Sequence, residues 1–206
     1  MKKLFLLVCS ASLFVSLLSQ APGNIKENDS KNVIGIYSGA GILEMSGHEN
    51  QTGIVAAHGN SFFTYGLSYD RYISKRVRFE TGIFYAKYCV TDHLVLEPYF
   101  NEYLTEYLRI ISIPVVIKYY FPGNFYINGG TIIDFGLSRG GGWDITDAQN
   151  GFALCAGGGK EFSLNKFSIY IEPDFILHAA IPFSGDLTQK KFFVPGVKIG
   201  LNYKIN

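Results

Sequence analysis

Residues 125–136 read FYINGGTIIDFG, and the alternation in this stretch decides the fold class. Apolar side chains recur at every second position, at Phe125, Ile127, Ile133 and Phe135. The alternate positions are polar or small, at Asn128, Gly130, Asp134 and Gly136. Because successive side chains of a β-strand point to opposite faces, the stretch predicts a strand with one apolar and one polar face.

Similar stretches, rich in Val, Ile, Tyr and Phe, recur along the chain between turn residues. No helical period competes convincingly with this pattern. The pattern predicts eight strands, over residues 32–44, 61–73, 77–89, 105–121, 124–137, 151–163, 167–179 and 192–206.

The connections between these strands alternate in length. Three are minimal, at 74–76, 122–123 and 164–166, and four are long and polar or Gly-rich, around 45–60, 90–104, 138–150 and 180–191. This alternation places every tight turn at one end and every long loop at the other, as in outer-membrane barrels. The sequence therefore predicts an all-β fold, an eight-stranded antiparallel up-and-down transmembrane β-barrel. Its short turns would lie in the periplasm and its long loops outside, as a binding surface.

The N-terminus has the pattern of a secretory signal peptide over residues 1–21. Two lysines precede an apolar run from Leu4 to Leu18, and a small residue follows at Ala21. The run is too short to cross a hydrocarbon core of ~30 Å as a helix. We expect this segment to be removed, residues 22–31 to form a periplasmic extension, and residues 32–206 to form the barrel in a Gram-negative outer membrane.

Composition excludes several classes of protein. Charged residues make up 17% of the chain, against about 25% in a usual soluble domain. A net charge of +1 argues against a nucleic-acid partner. The mature cysteines, Cys89 and Cys155, fall on strands that are not neighbours, so we expect free thiols. The sequence predicts no cofactor and no metal.

Alternation alone leaves two assignments of the faces open, because a soluble lipocalin-like carrier would place the apolar set inside. That assignment would put Lys118 and Lys198 in lipid if the barrel spans a membrane, at roughly 2–4 kcal/mol each near the midplane. We therefore predict that the polar face lines a lumen just wide enough to be filled by side chains, with its charges neutralising one another and no open pore. The predicted lumen charge network comprises Asp70, Arg78, Glu80, Lys118, Asp134, Glu172, Asp174 and Lys198.

Aromatic residues of the apolar face are concentrated at the strand ends and predict two girdles at the level of the headgroups. The turn-side girdle comprises Tyr69, Phe79, Tyr119, Phe121, Phe125, Phe167 and Tyr203. The loop-side girdle comprises Phe63, Tyr85, Phe135 and Phe175. The stretch from Phe125 to Phe135 spans about 25 Å along the membrane normal at a strand tilt near 40°. Predicted partners are outer-membrane lipid, lipopolysaccharide and, during assembly, the barrel-insertion machinery.

Pro114 and Pro173 fall inside predicted strands, where each removes a donor from the hydrogen-bonded ladder. We expect β-bulges or bends at both positions.

Candidate chemistry is sparse. His48, His58 and His93 fall in predicted loops, where a histidine is usually solvated, and His178 falls at the outer end of a strand. An outer-membrane hydrolase or acyltransferase would use a rim site such as His178 with Ser184 and Asp186, or His93 with Asp92. Nothing in the spacing requires such a site, so we predict a protein that is not an enzyme.

Two further features have a purely structural interpretation beside a functional one. The stretch 157–160 reads GGGK, but Glu161 replaces the Ser or Thr of a phosphate loop and no helix is predicted after it. Apolar loop residues predict either a contact for a ligand or partner or rings resting on lipopolysaccharide. They are Leu94, Leu96, Tyr99, Phe100, Tyr103 and Trp143.

Three segments carry a family resemblance: RVRFETGIFYAKY around residues 77–89, YLRIISIPVVIKYYF at 107–121 and GVKIGLNYKI at 196–205. They resemble the PorT-like family of outer-membrane β-barrel domains. The resemblance implies an outer-membrane location and an up-and-down barrel, and it permits an accessory role in secretion or gliding. Family members often end in an aromatic residue, whereas the nearest one here is Tyr203, before Lys204-Ile205-Asn206.

Overall fold

The computed structural model describes residues 32–46, 55–96, 100–137, 149–183 and 191–205. The predicted signal peptide at 1–21 and the extension at 22–31 lie outside the described residues. None of the described residues forms a helix that is long and apolar enough to cross a membrane.

The described residues form antiparallel strands that close into a barrel. Each long strand pairs with the next along the chain, and β1 pairs with β9. The short β2 follows β1 after Leu43 and also pairs with β9, so β1 and β2 form one interrupted barrel strand. The predicted fold class, a closed antiparallel barrel of eight strands, is confirmed. The strands are β1 (Asn32–Ile42), β2 (Glu44–Ser46), β3 (Val55–Tyr72), β4 (Val77–Leu96), β5 (Phe100–Tyr120), β6 (Phe125–Gly136), β7 (Gly151–Leu164), β8 (Phe167–Pro182) and β9 (Lys191–Ile205).

Three short turns coincide with the predicted ones and lie at one end of the barrel. Gly123, Asn124 and Asn165 have positive φ angles of 84°, 61° and 61°. Glycine and asparagine enter this left-handed region more easily than other residues, which explains why the sequence places them there. In the first turn, the backbone N–H of Val77 donates to Oγ of Ser74 at 3.1 Å.

The strands extend further toward the loop side than the sequence predicted. Residues 90–104 were expected to form a long loop, but β4 and β5 remain paired from Val90 with Glu106 to Leu96 with Phe100. Likewise, β3 begins at Val55, inside the expected loop 45–60. Backbone pairing continues beyond the point where the apolar alternation, on which the prediction depended, has ended.

The sequence predicted a β-bulge or a bend at Pro114 and Pro173, and the structure has no β-bulge at either position. The register of the β4–β5 and β7–β8 pairs is the same before and after each proline, and pairing is interrupted on one side only. On the other side, Pro114 pairs with Ile132 and Pro173 with Val197. The missing donor is therefore accommodated by a local gap in one ladder without a shift of register.

Register shifts occur elsewhere, between Gly59 and Phe62 in the β3–β4 pair and between Phe152 and Leu154 in the β7–β8 pair. At the second shift β8 contains more residues than β7, and Ala179 has a positive φ of 51°. Ala179 is buried directly after the buried His178, which breaks the alternation of the strand at Ala179.

The outer wall of the barrel is apolar. Leu67 and Ile199 are 58% and 56% exposed, and other large aliphatic and aromatic side chains surround them on every strand from β3 to β9. Lys118, Asp134 and Glu172 point into the interior and are buried. This distribution is the reverse of a soluble globular protein, in which charges face outward.

The interior also contains an apolar cluster that the sequence analysis did not predict. Large members such as Phe62, Leu108 and Phe192 lie on the loop-side parts of their strands. Above the charged part of the lumen, the barrel is therefore filled with a packed apolar core. The cluster comprises Tyr37, Leu43, Phe62, Phe84, Ala86, Tyr88, Val90, Leu108, Ile110, Ile132, Ala153, Tyr170, Ile176, Phe192 and Val194.

Large rings in this lumen lie directly over glycines. A Cβ atom added at Gly200 would collide with ring atoms of the buried Tyr170. At Gly129, an added Cβ would make an ordinary contact of 3.7 Å with the carbonyl oxygen of Cys155. Gly200 therefore has no room for a larger residue, whereas Gly129 does, and the two positions can be compared directly.

Gly200→Ala is expected to lower the free energy of unfolding by roughly 1–3 kcal/mol, because the buried Tyr170 ring has to shift. The measurement is the urea midpoint of unfolding in detergent micelles. Gly129→Ala is the control and should leave the midpoint unchanged or slightly raised. Equal midpoints for the two variants would contradict the packing role of Gly200.

Candidate functional site

The turn-side end of the lumen is organised around a buried arginine. The Arg78 guanidinium donates to Oε2 of Glu161 at 2.7 Å across the barrel. It also lies between two rings, 4.2 Å from the centroid of Tyr72 and 4.0 Å from that of Tyr120. Glu161 further accepts hydrogen bonds from the hydroxyls of Tyr120 at 2.8 Å and Ser168 at 2.5 Å. Both oxygens of this carboxylate thus accept at least one hydrogen bond.

Two lysines continue the network toward the middle of the barrel. Lys118 pairs with Glu80 and lies 3.6 Å from Oδ2 of Asp70. Lys198 lies 2.8 Å from Oδ2 of Asp174 and 3.6 Å from Oε1 of Glu172.

Within the described part of the chain, these ion pairs join three cations to five carboxylates. The pairs connect β3, β4, β5, β7, β8 and β9, so they brace the barrel across its interior. A cavity of about 10 Å³ lies among Glu80, Asp174 and Lys198. This is room for about one water molecule. Among the described residues, the paired side chains leave little free space in this part of the lumen.

Seven of the eight predicted lumen charges belong to this network, and Asp134 belongs to a separate one. Glu161, which the sequence analysis missed, is the partner of Arg78. Its signal was present in the period of two that relates Gly157, Gly159 and Glu161 on the lumen side of β7. Residues 157–160, which share letters with a phosphate loop, lie inside β7.

Asp134 belongs to a buried chain of four polar side chains in the loop-side half of the barrel. The hydroxyl of Tyr88 lies 2.7 Å from Nε2 of His178, whose Nδ1 lies 2.6 Å from Oδ2 of Asp134. Oδ1 of Asp134 accepts a hydrogen bond from Ser112 at 2.6 Å. All four side chains are at most 1% exposed. The chain connects β4, β8, β6 and β5 inside the apolar core.

This arrangement does not have the order of a hydrolytic triad. In a triad the histidine contacts the serine, whereas here Ser112 contacts Asp134 and both ring nitrogens of His178 are engaged. The expectation that His178 lies at an exposed rim is wrong, because it is completely buried and follows Glu172, Asp174 and Ile176 on the lumen-facing positions of β8. Its proposed companions Ser184 and Asp186 lie outside the described residues.

Several other predicted features fall where side chains are not described. His48, Tyr99 and Trp143 lie outside the described residues, and only the backbone is described at the remaining loop positions. Those positions are His58 on β3, Asp92, His93, Leu94 and Leu96 on β4, and Phe100 and Tyr103 on β5. Among the described residues, no group of three His, Cys, Asp or Glu side chains is placed to hold a metal ion. Cys89 and Cys155 are free and half-buried.

The predicted girdle residues point outward. Phe79 and Tyr85 are half-buried among their neighbours. The other members are exposed, namely Phe63, Tyr69, Tyr119, Phe121, Phe125, Phe135, Phe167, Phe175 and Tyr203. Neighbouring rings contact one another, as in the pair of Tyr65 and Tyr85 with centroids 5.3 Å apart.

The structure is similar to the crystal structure of the outer membrane protein OprG from Pseudomonas aeruginosa. The TM-score is 0.54 at 14% identity, over 89% of this chain and 100% of that chain. The chain has the fold of a small outer-membrane β-barrel.

Two further barrels match less closely. The N-terminal β-barrel domain of Pseudomonas aeruginosa OprF has a TM-score of 0.43 at 13% identity, over 85% of this chain and 100% of that chain. Ail, the attachment invasion locus protein of Yersinia pestis, has a TM-score of 0.40 at 10% identity, over 86% and 100%. No family model matches the sequence, and no curated protein matches it. Identities this low carry nothing beyond the fold.

Glu161→Gln is expected to lower the free energy of unfolding by roughly 3–5 kcal/mol, because it leaves the Arg78 guanidinium buried without its counter-charge. Adding Arg78→Met in the same chain should recover most of the loss, since the uncompensated cation is then gone. The urea midpoint in detergent micelles measures both effects. Lys166→Gln, on an exposed turn residue, is the control for loss of one charge. A double variant no more stable than Glu161→Gln alone would contradict the pairing.

Tyr88→Phe is expected to cost about 1–3 kcal/mol, because Nε2 of His178 loses its buried partner. Tyr119→Phe removes the same hydroxyl from an exposed ring and should change stability by less than about 0.5 kcal/mol. Thermal unfolding in detergent, followed by near-ultraviolet circular dichroism, compares the two variants. If they melt together, the buried chain has no stabilising role.

Proposed function

We propose that this chain is a small outer-membrane protein with a structural or surface-interaction role. Its barrel spans the bilayer, its lumen is closed, and its loop-side hairpins present a binding surface to the outside. The observation that carries the proposal is the inverted distribution of side chains, with an apolar outer wall around a charged interior.

The outer wall suits hydrocarbon and not water. Soluble monomers rarely expose contiguous apolar patches of more than a few hundred Å². Here exposed aliphatic side chains such as Ile36, Leu67, Ile127 and Ile199 occur around the barrel. A lipocalin-like carrier would hold these side chains inside, around its ligand. In this chain that space contains Lys118, Glu172 and Asp174 instead.

The height of the wall also supports a position in a bilayer. On β6, Phe125 and Phe135 are both exposed and bound the outward face. Their separation corresponds to about 25 Å along the normal of a tilted barrel, the height of the apolar band of outer-membrane barrels. The aromatic side chains are thus placed where amphipathic rings contact both headgroup layers.

A closed lumen supports a structural role over a channel. The turn-side half contains the paired charges of Arg78, Lys118 and Lys198, and the loop-side half contains the apolar core. A passage for ions or solutes would require both layers to open at a cost in buried interactions.

The extended β4–β5 hairpin supports a surface role. It continues beyond the girdle residue Tyr85 to Leu96, which is roughly 28 Å along the normal for a strand tilted by about 40°. This part of the barrel therefore projects beyond the membrane and is available to a partner. An accessory role in secretion, which the PorT-like resemblance permits, stays a prediction, as does contact with the insertion machinery.

Ile199→Lys tests the membrane position of the wall. In lipid the change is expected to cost roughly 2–4 kcal/mol of folding free energy, because a lysine replaces an exposed apolar side chain near the midplane. Leu164→Lys, on an exposed residue at the turn end, should cost about 0–1 kcal/mol. Urea titration of refolding into phosphatidylcholine vesicles measures both.

Fractionation of expressing cells completes the test. The wild-type chain is expected in the membrane pellet, extractable only with detergent. A chain that stays in the aqueous fraction, or an Ile199→Lys variant as stable as wild type in vesicles, would overturn the proposal.

A further inference from the structure

Two basic side chains oppose each other on the outer wall of the barrel. Lys87 on β4 is directly paired in register with Arg109 on β5, and both side chains are exposed. Side chains directly opposite in an antiparallel pair have Cβ atoms about 4.5–5.5 Å apart. Like charges in this position repel each other, and the repulsion grows where the dielectric constant falls near lipid.

Aromatic and apolar side chains surround this basic pair. Phe63 on β3 is the register partner of Lys87 on its other side and is 52% exposed. The ammonium of Lys87 lies 3.9 Å from the centroid of the Tyr107 ring. Directly after β6, Leu137 is 51% exposed, and its backbone N–H donates to the carbonyl oxygen of Arg109. The charges are therefore set into an apolar wall and do not lie in a polar loop.

The pair lies at a defined depth. The next outward row toward the turn side contains Tyr85 and Ile111, paired in register, with Phe135 beside Ile111. Tyr85 and Phe135 belong to the loop-side girdle. One row of outward residues corresponds to about 5 Å along the normal of a tilted strand. Lys87 and Arg109 thus lie just beyond the hydrocarbon band, at the height of lipid headgroups.

We propose that Lys87 and Arg109 together bind the phosphate of a lipid headgroup in the loop-side leaflet. This inference rests on the proposed membrane position of the barrel. An anion between the two side chains converts their repulsion into two attractive contacts. The planar guanidinium offers a fork of donors to the phosphate oxygens, and the ammonium adds a point charge.

The apolar surroundings favour a lipid over a free anion. A free phosphate ion has no apolar group that could contact the adjoining apolar wall. A lipid phosphate brings acyl chains, which extend down over Tyr85, Ile111 and Phe135 toward the membrane centre. The outward wall and the basic pair together match the two parts of one molecule, an anionic headgroup and its chains.

Native mass spectrometry of the detergent-solubilised barrel with added phosphatidic acid or phosphatidylcholine of identical chains tests the proposal. Wild type is expected to retain phosphatidic acid preferentially. K87Q/R109Q should weaken that retention by roughly tenfold, since both charges near the headgroup are lost. The control K75Q/R76Q removes one exposed lysine and one exposed arginine from a turn at the other end, and it should retain phosphatidic acid within about twofold of wild type. Lys87→Arg keeps the charge and should keep the preference.

Three results would overturn the inference. Equal losses in K87Q/R109Q and K75Q/R76Q would show general attraction by net charge. Competition by inorganic phosphate as strong as that by phosphatidic acid would show a site for a free anion. A wild-type barrel that inserts into vesicles but does not prefer phosphatidic acid would refute the site and leave the membrane position intact, whereas failure to insert would refute the proposed function itself.

Discussion

The pairing of β1 with β9 is the constraint on which the rest of the structure depends. An open sheet presents unpaired N–H and C=O groups at its edges, and in hydrocarbon no water is available to satisfy them. Closure removes both edges, and the closed barrel has eight strands. An eight-stranded barrel encloses a space that its own side chains fill. The crowded lumen is a consequence of this closure with eight strands.

The narrow lumen explains why its polar groups are arranged in partner sets. A buried charge without a partner is costly. Each cation in the lumen therefore needs a carboxylate on a neighbouring or facing strand. Arg78, Lys118 and Lys198 do so in one network, while Asp134 and His178 form a second within the apolar core. Both networks join strands that are not all neighbours, and so add bracing that the backbone ladder alone does not supply. His178 is completely buried among the described residues, and both of its ring nitrogens are engaged within the second network.

The outer wall of the barrel is mostly apolar, so the charged side chains on it are informative. Most outward residues in the band are aliphatic, with aromatic residues near its limits. Lys87 and Arg109 depart from this pattern beside the loop-side girdle, which in the proposed membrane position is the level of the headgroups. A barrel with a closed interior has only its wall and its loops for contact with other molecules. In the proposed function, recognition therefore depends on the outer wall and the loops.

Alternation along the chain by itself determined the strands, the tight turns and the two faces, because all three are set by neighbouring residues through the period of two. The side-chain partners were decided only by the closed barrel. Glu161 and Arg78 are separated by 83 residues, and His178 and Asp134 by 44. Which of them meet depends on the stagger of the strands in the closed barrel, and the local sequence does not reveal that stagger. The length of the β4–β5 hairpin was likewise decided by backbone pairing. That pairing continues into residues whose sequence has no apolar alternation, so the sequence did not predict it.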